Sequence, residues 1–149
     1  MPKLVHLWLL PTFLVTGYAL ALTQTVAEEA PPSSSLSIEL NAIQQLEDDT
    51  CRIIFVANNG SGSDIDKMSA ETVLFNSQGS VNRFTLFDFL DLPSGKTRVR
   101  QFDLPNTECT SIARILINGA STCTVGGQDS DVCVQSLAVS TKTEVELLG

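Results

Sequence analysis

The chain is poor in the residues that do chemistry. It holds one His, one Trp and one Tyr in 149 residues, and nine Lys+Arg stand against seventeen Asp+Glu, a net charge of −8. Few cations mean a weak positive field, which excludes a nucleic-acid backbone or an anionic membrane surface as the main partner. His6, Trp8 and Tyr18 all fall within the first 27 residues. Those residues have the pattern of a leader, and once they are removed no His, Trp or Tyr remains. Ser-His-Asp and Cys-His catalysis are then excluded, as are imidazole metal sites. No glycine-rich loop follows a strand and opens a helix, so nucleotide binding has no support. No repeat and no long amphipathic helix is visible, which argues against a solenoid.

Lys3 and the α-amino group form a short positive start. A mostly apolar run from Leu7 to Leu22 follows, then the polar Thr23-Gln24-Thr25. The run is of signal-peptide length and short for a membrane span of ~20 residues. Cleavage after Ala27 is preferred to cleavage after Ala21, because the polar stretch then serves as the cleavage region and Glu28 opens the mature chain. There is no twin Arg, so the general secretion route is expected. The expected organisation is a signal peptide at 1–27, a flexible lead-in at 28–35 (EEAPPSSS) and one domain at 36–149. After cleavage eight basic residues face seventeen acidic ones, a net charge of −9. The expected location is periplasmic or secreted, with no stable membrane insertion.

The remainder has the pattern of strands. Residues 36–40 alternate apolar and polar, the period of a half-buried strand. Residues 51–58 (CRIIFVAN) are β-branched and apolar on both faces, as a central strand would be. Further runs lie at 68–75, 81–89, 96–104, 112–118, 122–125 and 132–139, with 141–148 as a terminal edge strand or tail. Asn76-Ser-Gln-Gly79 and Leu92-Pro-Ser-Gly95 are turn signals. Seven or eight short strands without a long helix predict an antiparallel, immunoglobulin-like β-sandwich, with a small barrel as the alternative.

Four cysteines in an exported chain predict two disulfides. Three pairings are possible; the expected one is Cys51–Cys109 with Cys123–Cys133, the second pair bracketing a short loop. A four-thiolate zinc site would need closely paired ligands, and there is no C-x-x-C for redox work. No metal and no cofactor is expected.

At these cysteines a resemblance appears. The segments "LSIELNAIQQLED", "CRIIFVANN", "VLFNSQGSV", "KTRVRQFDLP" and "RILIN", together with Cys109, Cys123 and Cys133, resemble a family of short exported alphaproteobacterial proteins often labelled as having a twin-arginine signal sequence. The likeness spans residues 36–142. It implies a periplasmic location and no particular activity.

Paired carboxylates at Asp64/Asp66, Asp88/Asp91 and Asp129/Asp131 are the remaining chemistry. Without an aromatic to stack on a sugar they are expected to be solvated turns rather than a glycosidase pair or a calcium loop. No enzymatic activity is expected. Two binding features stand out. Lys96, Arg98 and Arg100 recur at every second residue and should share one strand face, either compensated by neighbouring carboxylates or open to an anionic ligand. In FTLFDFL, Phe84 and Leu86 share one face and Phe87 and Phe89 the other. Phe87 and Phe89 are buried in a central strand or else form an exposed patch. The function expected is a non-catalytic interaction module of the periplasm or cell envelope. The alternative is a binder of a small anionic ligand on strand 96–100.

Overall fold

The structure, a computed structural model, describes residues 35–135 and 137–149. The expected leader at 1–27 and most of the lead-in lie outside them. Ser35 already belongs to the fold: it is buried, and its carbonyl accepts a hydrogen bond from the Gly60 amide at 2.9 Å.

Among the described residues nine strands build two stacked sheets. They are β1 (Leu36–Gln45), β2 (Cys51–Asn59), β3 (Ile65–Phe75), β4 (Val81–Leu92), β5 (Thr97–Leu104), β6 (Arg114–Val125), β7 (Gln128–Asp129), β8 (Leu137–Thr141) and β9 (Glu146–Leu148). The first sheet runs β5-β2-β1-β8 and the second β4-β3-β6, with β7 and β9 both paired to β6. The molecule is a β-sandwich, and the sheets are mixed rather than wholly antiparallel. β1–β8 and β6–β9 pair in parallel. The reason lies in the connection before β8. Residues 132–139 were expected to form one strand, but Val132–Gln135 form a single helical turn, α1. The amides of Val134 and Gln135 both donate to the Asp131 carbonyl, and Cys133 is tied back to Cys123. After that turn the chain enters the first sheet alongside β1 instead of reversing against its predecessor.

Alternation produces the core. Leu36, Ile38 and Leu40 of β1 and Cys51, Ile53, Phe55 and Ala57 of β2 point inward and meet Ala70, Leu74, Phe87, Phe89 and Ile115 of the second sheet. Side chains at every second position share a face, so one polar residue between apolar ones is enough to bury a whole row. Phe55, Phe87, Phe89 and Phe102 form one aromatic cluster across the interlayer, with Phe87 stacked on Phe102 at 4.3 Å between ring centres. Residues 112–118 and 122–125, separated in sequence by Gly119, are parts of one strand, β6. Its register against β3 shifts on either side of Ala70–Glu71, so the extra residues are absorbed as bulges rather than as a break.

Both disulfides form as expected, Cys51–Cys109 and Cys123–Cys133. Asn59, fully buried at the end of β2, joins the layers by donating from Nδ2 to the carbonyls of Leu92 (2.6 Å) and Ser63 (2.8 Å). Its Oδ1 accepts from the Ser61 amide and hydroxyl, so every polar atom of the side chain is satisfied.

Candidate functional site: the outer face of the second sheet

Of the two readings of Phe87 and Phe89, burial holds and the exposed patch does not. Both rings are core, at 2% and 0% exposure, whereas Phe84 is 74% and Leu86 59% exposed. The parity of the strand was right and its environment was not. β4 is an edge strand paired with β3 alone, and like every strand of a two-layer sandwich it turns one face to the other sheet and one to solvent. Phe87 and Phe89 take the inner face because Phe55 and Phe102 wait there.

The open face carries a cross-strand apolar row. Phe84 lies opposite Val73, Val73 opposite Leu116, and Leu116 opposite Leu148. The row therefore crosses β4, β3, β6 and β9 without a polar interruption. Val73 and Leu116 are absent from the interlayer core, but Val73 is only 4% exposed and Leu116 is half-buried, so the apolar surface open to solvent on this face is that of Phe84, Leu86 and Leu148. On one side of this row lie Phe75, Arg114 and Glu146 in register; the Arg114 guanidinium sits 6.0 Å from the Phe75 ring centre and pairs with Glu146. On the other side Glu71 lies opposite both Leu86 and Gly119. Glu71, Thr72, Val73, Phe84, Thr85, Leu86 and Asn118 line a shallow groove of about 320 Å³, open to solvent. The floor is apolar, and one end offers a carboxylate and an amide.

The basic strand is built into the sandwich. Arg98 and Arg100 project from β5 to the end of β4. Arg100 Nε donates to the Phe89 carbonyl at 2.6 Å and its Nη2 to the Asp91 carbonyl at 3.0 Å, while the Asp91 carboxylate pairs with Arg98 (3.4 Å) and Arg100 (3.5 Å). The anion facing these two guanidiniums thus belongs to the chain. Lys96 precedes the strand, is exposed, and makes no ion pair among the described residues. At the far end of β4, Arg83 Nη2 donates to the Pro105 carbonyl at 3.3 Å. The two sheets are therefore clasped along the β4/β5 side by an arginine at each end and by stacked rings between.

The carboxylate pairs fasten turns. Asp64 accepts from the Ser94 amide (2.7 Å), Asp66 from the Gly127 amide (2.8 Å), and Asp88 from the Leu90 amide (3.0 Å). Asp131 accepts from the Gln135 side chain, and Asp129 belongs to β7. The residues that sequence reasoning missed are Glu71, Val73, Leu116 and Leu148. Their own strands show nothing unusual, and only the register of four strands aligns them.

No protein-family model and no curated protein sequence matches the chain. Its fold is similar to that of a solved structure described as the structural characterization of IrmA from Escherichia coli, with a TM-score of 0.59 at 15% identity, covering 70% of this chain and 90% of that one. At this identity the likeness is one of fold. It agrees with the two-sheet architecture.

Proposed function

We propose that the protein is a non-catalytic interaction module of the bacterial periplasm or cell envelope, which docks another protein on the outer face of its second sheet. The observation that carries this is the exposed pair Phe84 and Leu86 at one end of the row Phe84–Val73–Leu116–Leu148, on an otherwise acidic molecule. Two large apolar side chains side by side on one sheet face are costly to leave in water and mark a docking surface. The two disulfides fit an oxidising compartment, and the leader at 1–27 and the resemblance to exported alphaproteobacterial proteins favour the periplasm. Among the described residues no helix is long and apolar enough to cross a membrane.

The test is a Phe84→Ser/Leu86→Ser protein, expressed with its leader and cross-linked in intact cells. Both side chains lie outside the core, so its urea midpoint is expected to stay within about 0.5 kcal/mol of the parent value. A stoichiometric protein partner captured by the parent is expected to be lost. Retention of that partner by the folded variant would remove the docking face from consideration.

A further inference from the structure

The groove is not uniformly apolar, and its polar end has a sign. We propose that the segment seated on this face is basic: an extended stretch of a partner protein in which a Lys or Arg shares one face with apolar side chains, the apolar groups covering Phe84 and Leu86 and the cation meeting Glu71. This rests on the docking reading above and specifies its partner.

Three observations support the assignment. Glu71 makes no ion pair among the described residues, although five such pairs engage Arg52, Arg98, Arg100, Arg114 and Lys142 elsewhere. Arg114 is held by Glu146 on the opposite side of the apolar row, and exposed Lys67, four residues from Glu71 along β3, makes no ion pair with it. The second observation is the glycine opposite. A Cβ built on Gly119 would lie 3.8 Å from Glu71 Oε2 with no other atom near it, so the space beside the carboxylate is open to an incoming group. Third, the charges reinforce one another. Asp88 lies on the same outer face of β4, two residues beyond Leu86, and makes no ion pair among the described residues; the whole chain carries −8. An acidic partner would meet like charge at the groove and in the long-range field, whereas a basic one is drawn in by both. The same field opposes a second copy of this chain as the occupant.

The groove is shallow and open, which suits side chains presented by a protein strand more than an enclosed small molecule. Apolar side chains would lie along the row. A neighbouring ammonium or guanidinium reaches a carboxylate from such a position while its stem covers apolar surface.

The experiment uses the ¹⁵N-labelled protein and two synthetic probes whose first, third and fifth side chains share one face when extended, acetyl-Val-Ser-Lys-Ser-Leu-amide and acetyl-Val-Ser-Glu-Ser-Leu-amide. The basic peptide is expected to shift the amides of Glu71, Phe84, Leu86 and Asn118, and the acidic peptide is not. Glu71→Gln is expected to weaken binding about threefold, the effect of one exposed ion pair, and added salt to weaken it further. Equal binding of the acidic peptide, an unchanged affinity in Glu71→Gln, or no groove shifts with millimolar basic peptide would each overturn the proposal. The native partner separates this from the docking reading. If Phe84→Ser/Leu86→Ser loses that partner and Glu71→Gln keeps it at full affinity, the face is right and the charge assignment wrong. If Phe84→Ser/Leu86→Ser keeps it, the face itself is wrong.

Discussion

The Arg100 side chain is only 17% exposed, and both backbone carbonyls it donates to lie in the opposite sheet. Hydrogen bonds from a charged donor to partly buried acceptors contribute more than surface ion pairs. Arg100→Ala should therefore cost about 2 kcal/mol in urea unfolding, from the two carbonyls left without their donor. Arg98→Ala, which loses one long and more exposed contact to Asp91, should cost under about 0.5 kcal/mol. A second residue-scale expectation concerns acid. Asn41 donates to Glu39 and Lys142 pairs with it, which together hold its carboxyl below its ordinary value of 4.5 against the opposing effect of partial burial. The bidentate bond from Arg52 lowers Asp103 below 3.8. Each carboxyl is lowered in the folded state, so the unfolded chain binds protons first as pH falls. Their contribution is complete above those ordinary values and is lost as pH drops through the lowered ones. Unfolding midpoints measured from pH 6 to pH 2.5 should fall in the acid range, and less steeply in Glu39→Gln/Asp103→Asn.

Strand β4 shows how much of an element can be read from its letters. The alternation in FTLFDFL separates Phe84 and Leu86 from Phe87 and Phe89 correctly, because side-chain parity is a local property of extended backbone. Which pair is buried is not local. It depends on the rings of Phe55 and Phe102 across the interlayer, which belong to other strands. Phe87→Ala should cost about 3–5 kcal/mol, whereas Phe84→Ala should leave the thermal midpoint nearly unchanged. The basic strand is a similar case. Lys96, Arg98 and Arg100 are spaced as a stripe, and the structure takes the alternative in which a neighbouring carboxylate compensates it; that this carboxylate is Asp91, at the end of β4, is not local information. Gly119 is the converse case. It looked like a strand end, yet β6 runs through it, because a bulge takes up the extra residue.

At the scale of the molecule the covalent framework was the most legible feature. Cysteine count and compartment imply pairing, and the short Cys123–Cys133 loop favours one pairing over two others. Each disulfide restrains the unfolded chain in proportion to the logarithm of the loop it closes. Loss of Cys51–Cys109 in a double serine variant should cost about 4 kcal/mol, and loss of Cys123–Cys133 a little under about 3. Chemical denaturation of the two double variants under non-reducing conditions measures the order. A reversed order would mean that native packing around α1, rather than loop length, dominates. The mixed sheets were the least legible feature, since parallel pairing of β1 with β8 joins the two ends of the domain and leaves no local trace.

That same pairing sets a clock. β1 is the first strand of the domain to be made and β8 the last but one, and Leu36 finds Leu137 only when almost every residue between them has appeared. Until then β1 has a partner on one side, β2, and an open ladder on the other. Contacts at this separation are late because their loop closure must precede any reward. The first sheet should therefore mature in two phases, a fast one for β5-β2-β1 and a slower one for β8. In the interval the exposed flank of β1, with Leu36, Ile38 and Leu40 in a row, is the place where a nascent or refolding chain is most open to pairing with the wrong strand.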